Sequence, residues 1–244
     1  MTQIILNQLR HLKLSGMANA YTEQINQPPT LDLSFDERFA MLVDRESLDR
    51  NNRRIANLLR QAKLRQQASP EEIDYQHARN LKKNQFASLT ACDFIRHHHN
   101  MIITGPTGCG KSYLACAIGH QACRQGLSVR YLRLPRFLED LVIAHADGSY
   151  GKMLMQLLKI DLVILDDFGV APGFTTQQRR DFFNLIEDRH QVKSTQITSQ
   201  LPVKHWHDYI GEPTTADAVL DRLLENTHRI ELNGGSMRKN KTLD

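Results

Sequence analysis

The chain of 244 residues has only four cysteines, and no two of them form a C-x-x-C pair. They are Cys92, Cys109, Cys116 and Cys123. Helical spacing puts Cys116 and Cys123 on one face, which is typical of small core side chains and argues against a disulfide or a zinc site. The sequence therefore predicts a reduced, cytoplasmic setting.

Long apolar runs are missing as well. No stretch approaches the roughly 18 apolar residues of a membrane-spanning helix. The start of the chain, Met1 to Gln8, lacks the basic residues and small-residue cleavage site of a secretion signal. With 41% hydrophobic residues, 24% charged residues and a net charge of +4, the composition indicates a globular protein of one or two domains without a membrane partner.

The most informative stretch runs from Gly105 to Ser112 and reads GPTGCGKS, which fits the phosphate-loop pattern G-x-x-x-x-G-K-[ST]. Glycines let the backbone wrap around a phosphate, Lys111 would reach the β- and γ-phosphates, and Ser112 would bind Mg²⁺. The predicted cofactors are therefore ATP and Mg²⁺. The predicted nucleotide-binding residues are Gly105, Pro106, Thr107, Gly108, Cys109, Gly110, Lys111, Ser112 and Tyr113.

The residues on either side of this loop predict the strand and the helix that a phosphate loop connects. Met101 to Thr104 is a short apolar run typical of a buried strand. Leu114, Ala117 and Ile118 recur at helical spacing after the loop. Strand, loop and helix in this order indicate a nucleotide-binding α/β domain.

A second informative motif lies at residues 161–167, where four apolar residues are followed by Asp166 and Asp167. Four consecutive buried residues predict a central parallel strand, and ligands of such sheets bind at the carboxyl ends of the strands. Asp166 would bind Mg²⁺ through water. Asp167 would orient and deprotonate the water that attacks the γ-phosphate.

Residues 194–200 predict a polar strand that ends in small hydroxyl and amide groups. Thr198, Ser199 and Gln200 are all candidates to sense the γ-phosphate, and the sequence leaves the choice open. We include Ser199 in the candidate catalytic set with Lys111 and Asp167.

Residues 1–68 predict a small helical domain. Its Gln27–Thr30 is a predicted linker or turn, because consecutive prolines exclude helix, and residues 49–52 are a candidate break in the long helix that follows. Ser69-Pro70 is the predicted boundary with a second domain over residues 69–244. From Arg45 to Arg65 there are seven basic residues against two acids. Such a run is either a solvated helix face or a surface that binds the phosphate backbone of DNA.

A further helix is predicted after Thr214, capped by Thr214 with Asp217. It carries Asp221-Arg222. This pair is either a solvent-exposed ion pair or the source of an arginine that Arg222 would supply to the ATP of a neighbouring subunit.

Together these motifs resemble the AAA+ P-loop ATPases, and more narrowly the branch that contains the DnaC-type helicase loaders and the IstB transposition helper proteins. The resemblance covers nearly the whole chain and includes Thr198-Ser199-Gln200-Leu201-Pro202. It implies an α/β core with a parallel five-stranded sheet of order 5-1-4-3-2, preceded by a small all-α domain. About twelve residues follow the last predicted strand, so the usual C-terminal helical lid is expected to be absent.

The same resemblance assigns roles to residues. Lys111 and Ser112 are the phosphate-loop residues, Asp166 is the metal-side acid, and Asp167 is the general base where most AAA+ proteins have glutamate. Arg222 becomes the catalytic arginine that acts on a neighbouring subunit. Arg238 could be a second nucleotide sensor.

The leading hypothesis is an ATP-hydrolysing helper protein of an insertion-sequence transposon. Its partners would be double-stranded DNA, the cognate transposase and further copies of itself. A DnaC-like replicative helicase loader is the alternative, and the absence of cysteine before Cys92 favours transposition. A P-loop kinase is disfavoured because residues 168–176 contain no arginine. A nucleotide-dependent switch without turnover also stays open.

Overall fold

The structure is a computed structural model, and it describes residues 1–26 and 32–237. The predicted linker Gln27–Thr30 and the predicted sensor Arg238 lie outside the described residues. The chain divides into two compact units, Met1–Asn57 and Leu58–Asp244. None of the helices in the described part of the chain is long and apolar enough to cross a bilayer.

The first unit consists of the helices α1 (Thr2–His11) and α2 (Ser15–Asn26) and most of α3 (Phe35–Ala62). A capping box begins α3, because the hydroxyl of Ser34 accepts from the Glu37 amide while the Glu37 carboxylate accepts from the Ser34 amide. The helix runs unbroken through residues 49–52, where the sequence suggested a break. It ends at Ala62 because Lys63 takes a left-handed φ of 50°.

One buried carboxylate holds the first unit together. Glu46 of α3 accepts hydrogen bonds from the backbone amides of Gly16 and Met17 at 2.8 and 3.2 Å, in the first turn of α2. Its other oxygen accepts from Arg50 at 2.7 Å. A Cβ at Gly16 would lie 2.7 Å from the Cα of Glu46, so only glycine lets the two helices approach this closely.

The predicted domain boundary at residue 68 lies eleven residues after the division between the two units. The last turn of α3 and the segment behind it pack into the core of the second unit. Ala62 and Ala68 are buried there, and Leu58, Leu59 and Leu64 are partly buried against them. Apolar side chains at the end of α3 therefore assign this stretch to the second unit.

The second unit is built on a sheet of five parallel strands. The strands are β1 (Asn100–Thr104), β2 (Val129–Arg133), β3 (Leu162–Phe168), β4 (Ser194–Ser199) and β5 (Thr227–Glu231). Their order is β2-β3-β4-β1-β5. Read from the other edge this is the predicted order 5-1-4-3-2, which the structure confirms.

Eight helices of the described chain accompany the sheet. They are α4 (Lys83–Thr90), α5 (Asp93–Arg96), α6 (Lys111–Arg124), α7 (Leu134–Asp147), α8 (Tyr150–Leu158), α9 (Thr176–Arg189), α10 (Trp206–Ile210) and α11 (Pro213–Leu224). The helices predicted after the phosphate loop and after Thr214 are confirmed as α6 and α11, whereas the sequence predicted no helix at α4 and α5. The cap of α11 differs from the prediction, because the Glu212 carboxylate accepts from the Thr214 and Thr215 amides.

Helices cover both faces of the sheet, as its continuous apolar strands predict. In β1, Met101 and Ile103 face one core with α6, while Ile102 faces the other with α7, α9 and α11. All five carboxyl ends therefore lie along one edge, and that edge holds the predicted site. Residues 232–237, the described part of the chain after β5, form no α-helix.

Candidate nucleotide-binding site

The phosphate loop lies between β1 and α6, and its glycines have the backbone angles that the motif needs. Gly110 is the N-cap of α6 with a φ of 95°, and Gly105 leaves β1 with a φ of 149°. A Cβ at Gly105 would lie 2.6 Å from the carbonyl oxygen of Leu232. A side chain is therefore excluded there, and the loop keeps the shape of a phosphate cradle at a helix N-terminus.

Lys111 is buried against this loop, with 8% of its surface exposed. Its ammonium group donates to the carbonyl oxygens of Gly105 and Pro106, each at 2.8 Å. These bonds hold the charge over the mouth of the loop, where a phosphate would be bound. The thiol of Cys109 is buried and takes no part in this arrangement.

The two predicted metal-side residues meet although 54 positions separate them. The hydroxyl of Ser112 donates to a carboxylate oxygen of Asp166 at 2.9 Å. Asp166 is fully buried and also accepts from the hydroxyls of Tyr131 and Thr198. Burial and the bond to Asp166 raise the pKa of Tyr131 far above its ordinary value, so Tyr131 stays a donor.

This group of donors fits Mg²⁺. Oxygen atoms of a hydroxyl and a carboxylate are the ligands that a hard divalent cation prefers, and nitrogen or sulfur ligands are absent from the pair. Ser112 would hold the ion directly, and Asp166 would hold it through water.

Asp167 is aimed into the same site by an irregularity in β3. The pairing of β3 with β4 shifts between Leu165 and Phe168, and Asp167 takes a left-handed φ of 65°. Its amide donates to the Thr198 hydroxyl at 3.3 Å instead of continuing the ladder. Its carboxylate accepts from Arg133 at 2.8 Å and lies 3.8 Å from Arg65. The sequence predicted Asp167 but neither of these arginines.

The three sensor candidates take different positions. The hydroxyl of Ser199 donates to the Phe168 carbonyl at 2.8 Å and accepts from the Leu201 amide at 2.9 Å, and the residue is fully buried. The assignment of Ser199 to the catalytic set therefore loses its geometric support. Gln200 is exposed, and its amide oxygen accepts from the Thr107 hydroxyl of the loop at 2.6 Å.

A buried arginine that the sequence did not indicate braces the loop from behind. Arg79 is 2% exposed and donates to the carbonyls of Cys109 at 3.1 Å and Asp74 at 2.8 Å. Burial lowers its pKa. The chain after β5 closes on the same place, because the Met237 amide donates to the Gly108 carbonyl at 3.0 Å. Arg79 sits in a stretch without periodicity, so no sequence signal marked it.

Tyr113 and Arg222 are the remaining predicted residues. The Tyr113 hydroxyl donates to Glu72 at 3.1 Å, so this side chain braces the segment before α4. Arg222 pairs with Glu187 and lies over the ring of Phe183 at 5.5 Å. Its backbone carbonyl accepts from Asn100, at the amino end of β1, whereas the phosphate loop follows the carboxyl end.

The parallel sheet, the loop after β1 and the acids at the carboxyl end of β3 define a P-loop protein with an α/β core. The model of the family described as IstB-like ATP binding protein matches residues 7–244. The chain belongs to this family.

Individual relatives agree with this assignment. The chain is 47% identical over 236 residues to a Sinorhizobium fredii protein named as an insertion sequence ATP-binding protein, covering 97% of this chain and 96% of the relative. Among solved structures it is similar to the DnaC helicase loader, with a TM-score of 0.54 and 19% identity over 68% of this chain and 96% of that one. AMPPCP-bound DnaA from Aquifex aeolicus has a TM-score of 0.57 and 17% identity over 70% of this chain and 51% of that one. At these identities the solved structures show the fold alone.

Proposed function

We propose that this protein hydrolyses ATP and serves as the DNA-binding helper of an insertion-sequence transposon. The observation that carries the ATPase proposal is the 2.9 Å hydrogen bond between Ser112 and Asp166, with Asp167 next to Asp166 at the carboxyl end of β3. A loop that only bound phosphate would need neither acid.

Each residue has a role in this proposal. The loop amides and Lys111 bind the phosphates of ATP, and Asp167 orients and deprotonates the attacking water. Bound Mg²⁺ supplies positive charge that neutralises the phosphate oxygens. Gln200 replaces Ser199 as the proposed sensor, because its exposed amide already contacts the loop.

Assembly is proposed to complete the site. Arg222 lies at the amino end of β1, and five residues of strand span about 13 Å, so it cannot reach the loop of its own chain. An arginine supplied to the neighbouring subunit would stabilise the charge that develops on the γ-phosphate.

Double-stranded DNA is the proposed substrate of the assembly, and the transposase its proposed protein partner. The relatives are named for insertion sequences, which supports transposition over the alternative role of a helicase loader. The exposed arginines along α3 would bind the phosphate backbone.

The ATPase proposal is tested with Asp167→Asn. This change keeps the shape of the side chain and removes the base, so we expect turnover to fall by about 10²- to 10⁴-fold while nucleotide binding is retained. Unchanged turnover would reject Asp167 as the base. A wild-type chain that binds ATP without any turnover would favour the nucleotide-dependent switch.

A further inference from the structure

Tyr131 is a buried tyrosine in the middle of β2, and its hydroxyl needs a partner. The residue is 7% exposed and belongs to the same apolar core as Ile164 of β3. A phenol in such surroundings costs free energy unless its hydroxyl is hydrogen-bonded. The hydroxyl of Tyr131 donates to a carboxylate oxygen of Asp166, which is itself fully buried. The two polar groups therefore satisfy each other.

The register of the sheet explains why this tyrosine meets this acid. β2 and β3 are neighbours, with Tyr131 paired to Ile164 and Arg133 paired to Asp166. Side chains two positions apart lie on the same face of a sheet, about 6.6 Å apart along the strand. Tyr131 and Asp166 therefore share a face, and the length of the phenol ring carries the hydroxyl to the carboxyl edge. Serine or threonine at position 131 would be too short to reach the acid.

The two oxygens of the Asp166 carboxylate have different partners. Oδ1 accepts from the hydroxyls of Ser112, at 2.9 Å, and of Thr198. Oδ2 accepts from Tyr131, and the guanidinium of Arg65 lies 3.5 Å from it. Because Ser112 is the residue that fits a metal ion directly, Oδ1 is the carboxylate oxygen on the metal side.

Arg65 fixes the direction in which the phenol donates. A hydrogen bond with Tyr131 is the main reason why the pKa of Arg65 is raised. An arginine can only donate, so the phenol oxygen accepts from Arg65 and its proton is left for Asp166. The phenol lies between a cation and an anion, and each hydrogen bond in such a chain strengthens the next.

We propose that Tyr131 is a positioning residue that holds the Asp166 carboxylate in the orientation in which Oδ1 serves the metal ion of bound ATP. The inference rests on the proposed roles of Ser112 and Asp166. By occupying Oδ2, the phenol prevents the carboxylate from rotating about its Cβ–Cγ bond and keeps Oδ1 beside Ser112. It also offsets part of the free energy that burial of the carboxylate costs.

The experiment titrates Mg²⁺ into the complex of the protein with a fluorescent, non-hydrolysable ATP analogue. The midpoint of this titration reports the metal ion and does not depend on turnover. In Tyr131→Phe the ring and its packing are kept, and we expect the midpoint to rise about 10-fold, the lower end of the range for removing a partner of a metal-site residue. Affinity for the analogue in EDTA should stay close to that of wild type, because the phosphate loop is unchanged.

Tyr150→Phe is the matched control, because it removes another phenol hydroxyl of the same unit, one that contacts Asn184 of α9. Its midpoint should equal that of wild type. Arg65→Gln, at a position 45% exposed, should raise the midpoint by a smaller factor than Tyr131→Phe, because the phenol loses the donor that orients it. This surface change keeps the test decisive if thermal melting shows that Tyr131→Phe is not folded.

Asp166→Asn, alone and combined with Tyr131→Phe, tests whether the tyrosine acts through the acid. The two effects on the midpoint should not add, because the tyrosine then no longer holds a carboxylate.

The inference is overturned if folded Tyr131→Phe keeps the wild-type midpoint, if Tyr150→Phe shifts it equally, or if the two effects add. An equal loss of analogue affinity with Mg²⁺ and in EDTA would show a structural role only and also overturns it. If Tyr131→Phe is not folded, a wild-type midpoint in Arg65→Gln overturns it.

A wild-type chain whose affinity for the analogue ignores Mg²⁺ overturns the metal assignment of Ser112 and Asp166, and this inference with it. A wild-type chain that responds to Mg²⁺ but does not turn over ATP overturns the ATPase proposal alone and leaves the role of Tyr131 standing.

Discussion

The hydroxyl of Ser112 lies 2.9 Å from the carboxylate of Asp166, across 54 residues of chain. β1 and β3 are not neighbours in the sheet, since β4 lies between them. The contact forms because Ser112 lies in the first turn of α6, and this helix begins at the carboxyl edge of the sheet, where Asp166 follows the apolar residues of β3. It brings the phosphate loop and the acid of β3 together at one edge of the sheet.

Replacing Lys111 by alanine should weaken ATP binding at least tenfold. The change removes the charge that the loop carbonyls hold over the phosphate position, and hydrogen bonds to charged groups are worth about 1.5–3 kcal/mol. Titration with a fluorescent ATP analogue measures the affinity, and Lys152→Ala is an exposed lysine control in the same unit. Wild-type affinity in Lys111→Ala would reject the loop as the ATP site.

Arg222→Ala should leave binding of ATP to a single subunit nearly intact and remove ATP-dependent assembly and turnover. Light scattering in the presence of a non-hydrolysable analogue reports the assembly. Because Arg222 pairs with Glu187 in its own chain, Glu187→Gln serves as the control that breaks the same ion pair and keeps the arginine. If both variants fail to assemble, the pair itself is needed and the trans-acting role is not supported.

The DNA-binding surface is best tested away from Glu46. Arg50 and Arg53 both contact that buried carboxylate, so reversing their charge would disturb the first unit. We therefore choose Arg54→Gln with Arg60→Gln, both at exposed positions. The double change should weaken DNA binding at low salt and reduce the slope of log affinity against log salt by up to about 1.8, at about 0.9 for each lost phosphate contact.

Lys152→Gln with Lys204→Gln removes the same charge from exposed positions of the second unit. Equal loss of affinity in both pairs would indicate an effect of net charge alone. If the double change of Arg54 and Arg60 does not weaken DNA binding, that face of α3 is solvated and does not bind DNA.

Glu46 should make the stability of the first unit depend on pH. Burial tends to raise its pKa, but hydrogen bonds from Arg50, Met17 and Gly16 outweigh burial and lower it below the ordinary 4.5. A carboxylate whose pKa is lowered in the folded state stabilises that state at pH values above its unfolded pKa. This stabilisation is lost as the pH falls through the pKa of the folded state.

Glu46→Ala should destabilise the first unit by about 1–3 kcal/mol, because two buried amides lose their acceptor. It should also weaken the acid dependence of unfolding. Hydrogen exchange at the amides of Gly16 and Met17 as a function of pH measures both effects. Glu23→Ala, which removes an exposed carboxylate 3.8 Å from Arg45, should change neither.

The phosphate loop, the pair Asp166 and Asp167 and the alternation of strands and helices were predictable from the sequence because each is a local pattern. A glycine-rich loop between an apolar strand and a helix needs no distant partner to be recognised. The strand order came from the family resemblance that these motifs carry, and the structure confirms it.

Tertiary structure decided what surrounds those motifs. Gln200 faces the loop while Ser199 turns into the backbone, because the end of β4 packs beside the irregularity of β3. Arg79 reaches the carbonyl of Cys109 across 30 residues of chain, and Arg65 reaches Asp166 from the segment after α3. The sequence pattern indicated neither contact. Side chains that meet across the sheet depend on which strands and helices become neighbours, and only the packing of the whole unit settles that.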